Sequence, residues 1–184
     1  MDRVGDGLDA ALQKAFTRPI PRSAGARMRF LVRQLRGTGP VAELLGVTRR
    51  TVERYVRDQL RHPRPDLAQR LEREVVRRWQ PRVRADARRT AATTAGIVID
   101  TRARFGYTAA PGTTDDARLR HLTVALPPEY AARLFEAKEA GGSEQQLRDI
   151  AAEGLQEIYF KDRGRRAQGL LVEFTDVEHL EFDL

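Results

Sequence analysis

Apolar residues recur at helical spacing through the first half of the chain and change to strand-like alternation in the second. Leu8, Leu12 and Phe16 mark a first short helix, which Pro19 and Pro21 end. Met28, Leu31, Val32 and Leu35 form the buried stripe of a second, from about Ser23 to Leu35. HPRP at 62–65 is a turn, Asp66 a candidate N-cap, and Leu67, Leu71, Val75 and Trp79 the apolar face of a further helix. Trp79 reads as core. Pro81 interrupts or kinks that helix. Beyond it, Arg82, Arg84, Arg88 and Arg89 would track phosphate as a helical stripe or form a solvated connector.

From residue 96 the period becomes two. GIVIDTRARFGY (96–107) is rich in β-branched and aromatic residues, and HLTVAL (121–126) places Leu122, Val124 and Leu126 on one face. Pro127 and Pro128 open the helix EYAARLFEAKEAG, with Tyr130, Leu134 and Phe135 inward. Ser143 and Gln146 form a capping box for a helix through about Phe160. LLVEFTDV and HLEFDL then read as two more strands. The pattern predicts an α+β chain. An all-α domain over 1–95 precedes an α+β domain over 96–184, ββααββ with a small antiparallel sheet. The last strand, Leu180 to Leu184, is an expected edge and a candidate for self-association.

Between these elements, TGPVAELLGVTRRTVERYVR (38–57) has the organisation of a helix-turn-helix. Small Ala42 falls where the two helices cross closest, and Gly46 where the turn needs positive φ. Val41, Leu45, Val47, Val52 and Tyr55 pack the pair, and Thr48 caps the second helix near Thr51. The remaining face presents Thr48, Arg49, Arg50, Thr51, Arg54 and Arg57 as candidate DNA contacts. Arg49, Arg50 and Thr51 lie where such helices meet base edges, so a G·C-rich site is expected, with Arg54 and Arg57 on phosphate. The other reading of the segment is an ordinary helical hairpin with a solvated basic face.

Charge divides the chain in the same place. Residues 1–95 carry 22 Lys+Arg against 10 Asp+Glu (+12), and residues 96–184 carry 11 against 16 (−5). The basic half suits phosphate, the acidic half protein contacts. Nearly all the positive charge is Arg, which a GC-rich genome produces without selection, so that bias alone decides nothing. The chain has no cysteine, three scattered histidines without ligand spacing, and no apolar run of membrane-spanning length. Neither a metal site nor a membrane partner is expected. A cytoplasmic protein of a reducing compartment is.

The connection TAAPGTTDDARLR is long for a hairpin. It presents Thr113 and Thr114 beside Asp115 and Asp116. Pro111–Gly112 turn chemistry accounts for its composition, no base lies near to activate a hydroxyl, and spacing does not choose between the two threonines.

The passages GDGLDAALQKAF, VAELLGVTRRTVERYV, RPDLAQRLEREVVRRWQPRVRA, TRARFGYTA, GTTDDARLRHLTV and FTDVEHLEFDL resemble the telomere terminal proteins of linear streptomycete-type chromosomes and plasmids, the Tpg family. The likeness extends over essentially the full length. It implies a protein covalently joined to the 5′ end of DNA through a threonine hydroxyl, which corresponds to Thr114. Such a protein primes telomere end patching. On this resemblance the chain is not an enzyme but the nucleotidylated substrate of a partner DNA polymerase, which supplies Mg²⁺ and dCTP. Asp115 and Asp116 are candidates to orient Thr114. Telomeric DNA with its 3′ overhang, the polymerase and a telomere-associated protein are the implied partners, and the nucleoid at chromosome or plasmid ends the implied location. The competing reading is a helix-turn-helix transcriptional regulator with a C-terminal dimerisation domain. An autonomous nucleotidyltransferase lacks support, because the chain shows no Gly-rich triphosphate loop and no spaced carboxylate set.

Overall fold

The structure, a computed structural model, describes residues 3–108, 118–161 and 171–184. Mixed helix and a small antiparallel sheet make this an α+β chain, in two compact units. One unit is continuous, Thr17–Pro81; the other joins residues 1–16 to 82–184. This differs from the expected division at 95/96. The first helix and the arginine-rich segment after Pro81 belong with the sheet.

The continuous unit contains α2 (Ala24–Gln34), α3 (Thr38–Leu45), α4 (Arg49–Val56) and α5 (Pro65–Arg78). Ser23 caps α2, its hydroxyl accepting from the Ala26 N–H at 3.2 Å. Met28, Leu31, Val41, Leu45, Val52, Leu71 and Val75 are buried almost completely and form the core. Trp79 packs edge-on against Phe30, ring centroids 4.9 Å apart, and its indole N–H donates to Arg18 O at 3.1 Å. It is half-buried and packs against this core, on the apolar stripe where its position places it. The expected N-cap Asp66 is displaced. Arg64 is the N-cap, and Pro65 takes the first helical position, where its fixed φ and missing N–H cost nothing. Thr17 and Gln80 exchange two hydrogen bonds of 3.0 Å, so the unit's ends are clasped together. A closed unit of this kind is suited to insertion between two segments of another.

The second unit contains α1 (Val4–Lys14), α6 (Pro81–Thr90) continued by a π turn (Ala91–Ala95), β1 (Ile97–Thr108), β2 (Arg118–Leu126), α7 (Pro128–Glu139), α8 (Glu144–Leu155) with its own π turn (Gln156–Phe160), and β3 (Leu171–Asp183). Strand order is β2-β1-β3, antiparallel throughout. Period-two alternation sends Ile97, Ile99, Thr101 and Ala103 of β1, Leu122, Val124 and Leu126 of β2, and Leu180 and Phe182 of β3 into the core with α1, α7 and α8. Helix α1 lies close to β3: a Cβ on Gly7 would come within 2.7 Å of the Phe182 ring. Its first backbone N–H groups are satisfied from α8, where Glu144 accepts from Val4 and Gly5 at 2.5 and 3.3 Å. At its other end Lys14 pairs with Glu181 and Asp183, each at 2.5 Å.

The two strands expected at the C-terminus are one. Alternation breaks between Val177 and Leu180, which looks like a turn in sequence. In the sheet Arg102 pairs with His179 and Ala103 with Val177, leaving Glu178 as an extra residue. This bulge resets the phase, so Val177, Leu180 and Phe182 all pack toward the core without leaving the strand.

Candidate nucleic-acid interface

Helix α4 is positioned by its own short sequence. Gly46 adopts φ 63°, ψ 40° after α3, a left-handed conformation natural to glycine, and Val47 N–H bonds to Ala42 O at 2.9 Å. Thr48 then starts α4, its hydroxyl accepting from Thr51 N–H at 3.2 Å. Val52 and Tyr55 are buried, which leaves Arg50, Arg54 and Arg57 outward.

Not all the expected contacts are equally available. Thr48 and Thr51 hydroxyls bond to each other at 2.8 Å, and Thr48 also serves the cap. Arg49 donates from Nε to Thr38 Oγ1 at 3.0 Å and to Glu53 at 3.2 Å, though 74% of its side chain is exposed. Arg50, Arg54 and Arg57 have no acidic partner among the described residues.

The unit around them is strongly cationic. Residues 17–81 hold 16 of the chain's 33 Lys+Arg, all of them Arg, against 6 of its 26 Asp+Glu: a net +10, and −3 for the remainder. Arg27, Arg29, Arg49, Arg70 and Arg78 pair with Glu72, Asp58, Glu53, Asp66 and Glu74. Sixteen less five leaves eleven arginines of this unit without an acidic partner among the described residues. Exposed pairs contribute little to stability, so this surplus is a surface field rather than a fold requirement.

The arginines of α6 behave differently: the segment is helical, and three of its four arginines pair with acids. Arg84 pairs with Asp9 at 3.2 Å, Arg88 with Glu139, and Arg89 with Asp86 at 2.6 Å. Asp9 also receives Lys138 at 2.9 Å. Helix α6 thereby ties α1 to α7.

Thr113, Thr114, Asp115 and Asp116 lie outside the described residues. The strands carrying that connection are described: β1–β2 pairing ends at Phe105 opposite Arg118.

A cluster on the solvent-facing side of the sheet was not legible in sequence. His121 on β2 and His179 on β3 both pair with Arg102, one from each side, and so converge on Asp100. Their Nε2 atoms stand 3.0 and 3.4 Å from Asp100 Oδ1, while Thr123 donates to Oδ2 at 2.5 Å. The Thr123 hydrogen bond, then that of His121, holds the Asp100 carboxyl below the usual range. Histidines far apart in sequence carry no spacing signal; register alone brings them together. Among the described residues no group is arranged to hold a metal ion, and no helix is long and apolar enough to cross a membrane.

No family model matches this chain, and neither does any curated protein or solved structure.

Proposed function

We propose that α3 and α4 act as a helix-turn-helix on DNA, and that the chain is a telomere terminal protein that primes synthesis from Thr114. One observation carries the DNA-binding part: Arg50, Arg54 and Arg57 stand exposed, without an acidic partner among the described residues, on a helix whose opposite face is filled by Val52 and Tyr55. Guanidinium forks of this kind suit guanine edges and phosphate oxygens. Arg50, near the start of α4, is the base reader of this proposal, and Arg49 is held back by Thr38 and Glu53.

Resemblance in the passages GDGLDAALQKAF, GTTDDARLRHLTV and FTDVEHLEFDL supports the priming part. Thr114 Oγ attacks the α-phosphorus of a deoxynucleoside triphosphate and forms the phosphodiester. The bond from that phosphorus to the β-phosphate oxygen breaks, pyrophosphate leaves, and the hydroxyl proton passes to a base of the polymerase site. The partner polymerase supplies dCTP and the Mg²⁺ that neutralises the phosphates, and Asp115 and Asp116 orient the hydroxyl. Telomeric DNA, the polymerase and a telomere-associated protein are the partners in this reading, at the ends of linear chromosomes or plasmids.

The test is to incubate the full chain with telomeric single-stranded template, polymerase, the telomere-associated partner, Mg²⁺ and labelled dCTP, alongside Thr113→Ala and Thr114→Ala. Label lost only in Thr114→Ala is the expected result. No label on the intact protein, with partners shown active, favours the regulator. That reading requires a dimer on two half-sites about one helical turn apart.

A further inference from the structure

The α2–α5 unit contains a cleft of about 620 Å³ that the α4 face does not use. Two stretches far apart in sequence build it. Arg22, Ser23 and Gly25 come from the start of α2; Asp58, Arg61 and His62 follow α4. Arg22 and Arg61 are exposed and have no acidic partner among the described residues. Arg27, by contrast, is a fixed wall, donating to Pro21 O at 2.8 Å and Glu72 at 2.9 Å.

The cleft also holds an acceptor. Asp58 adopts φ 57°, uncommon for a residue with a side chain. Its Oδ2 receives Arg29 at 2.7 Å and its Oδ1 packs against Gly25 of α2, yet 54% of the side chain stays exposed on the cleft wall. Pro63, Ala68 and Leu71 line an apolar side. An inorganic anion would need the guanidiniums alone. Free guanidiniums, an apolar wall and a carboxylate acceptor together match a nucleotide: phosphate, ring face and exocyclic amine.

We propose that this cleft takes one unstacked nucleotide of a single strand, with its phosphate on Arg22 and Arg61, and its base amine facing the exposed edge of the Asp58 carboxylate. The proposal deepens the DNA-binding reading of the same unit, and rests on it only for the strand's origin.

The experiment is nuclear magnetic resonance titration of the ¹⁵N-labelled full chain with dCMP, dAMP, TMP and inorganic phosphate, followed by affinity for a single-stranded ten-mer and a blunt duplex. Amide shifts at Ser23–Gly25 and Arg61–Leu67 with dCMP and dAMP, weaker with TMP, are the expected result. Equal shifts with inorganic phosphate, or none with any nucleotide, overturn it. Arg22→Ala with Arg61→Ala should weaken the single strand roughly tenfold or more and blunt duplex less than about twofold. Equal loss on both overturns the proposal. Ala68→Phe, which fills the cleft without removing charge, should reproduce the selective loss, with thermal melting to confirm folding. Nucleotide shifts without any duplex binding would leave the cleft standing and remove the α4 reading.

Discussion

Arginine is abundant in both units, yet it does different work in each. In the α2–α5 unit six acids face sixteen arginines, and Arg50, Arg54 and Arg57 of α4 have no acidic partner among the described residues. In the sheet unit three of the four arginines of α6 are matched: Arg84 to Asp9, Arg88 to Glu139 and Arg89 to Asp86. Elsewhere in that unit Arg133 grips Glu153 through two bonds of 2.6 and 2.8 Å, and Arg102 meets Glu178 at 3.0 Å. Sequence density of arginine is therefore no measure of a phosphate surface. What matters is whether tertiary packing has already spent the guanidinium on an acid.

The largest expected effect tests the boundary between the units. Phe182→Ala removes a ring that is 1% exposed against Gly7 of α1, and should cost about 3–5 kcal/mol. Leu8→Ala on α1, at 0% exposure, should cost about 2–5 kcal/mol. Both losses should appear in the unfolding of the sheet unit, followed by amide exchange in β1 and β3. Were exchange from Leu8→Ala to rise in α2–α5 instead, α1 would belong with the basic unit.

Next, Arg50→Ala and Arg54→Ala should each weaken duplex binding by about 1–3 kcal/mol, at near-constant melting temperature. A phosphate-contacting residue among them should also lower the salt slope by about one. Arg84→Ala and Arg88→Ala should leave DNA affinity within about twofold and act on stability only, by up to about 1 kcal/mol each. Anisotropy titrations at several salt concentrations separate the two sets, and equal affinity losses would mean that the arginines of α4 and α6 do not differ toward DNA.

A smaller effect is expected at the α4 cap. Thr48→Ala removes the acceptor for Thr51 N–H and should cost about 1 kcal/mol of unfolding free energy. Thr48→Asp should restore most of it. Denaturant midpoints decide this.

The smallest concerns acid. Asp100 has a folded pKa below its unfolded value, so its contribution is present above the unfolded pKa, about 3.9. It is lost as pH falls through the folded value. Asp100→Asn should therefore lower stability near neutrality, where the contribution is present, change little below the folded value, and flatten the acid limb between. An unchanged acid limb would mean that the Thr123 and His121 contacts add nothing.

Several features were legible because they depend only on neighbours in the chain. Helical periodicity located α2 and α5, the Gly46–Thr48 stretch specified the turn before α4, and Ser143 with Gln146 announced α8, where Ser143 Oγ accepts from Gln146 N–H at 3.1 Å. The β2 alternation named the core face, Leu122, Val124 and Leu126, correctly, because side-chain direction in a strand is fixed by parity.

Other features required the folded chain. Leu8 and Leu12 mark an amphipathic helix but not the surface it will cover, and Asp9, Lys14 and Glu144 chose the sheet unit through distant partners. The single long β3 was hidden by a phase break that a bulge absorbs. Convergence of His121 and His179 on Asp100, and of Arg22 and Arg61 on one cleft, depends on register and helix packing across long sequence separations. Local conformational preference and period were thus encoded residue by residue. Which faces met, and which charges were cancelled, was decided by packing, because ion pairs and core contacts act through space rather than along the chain.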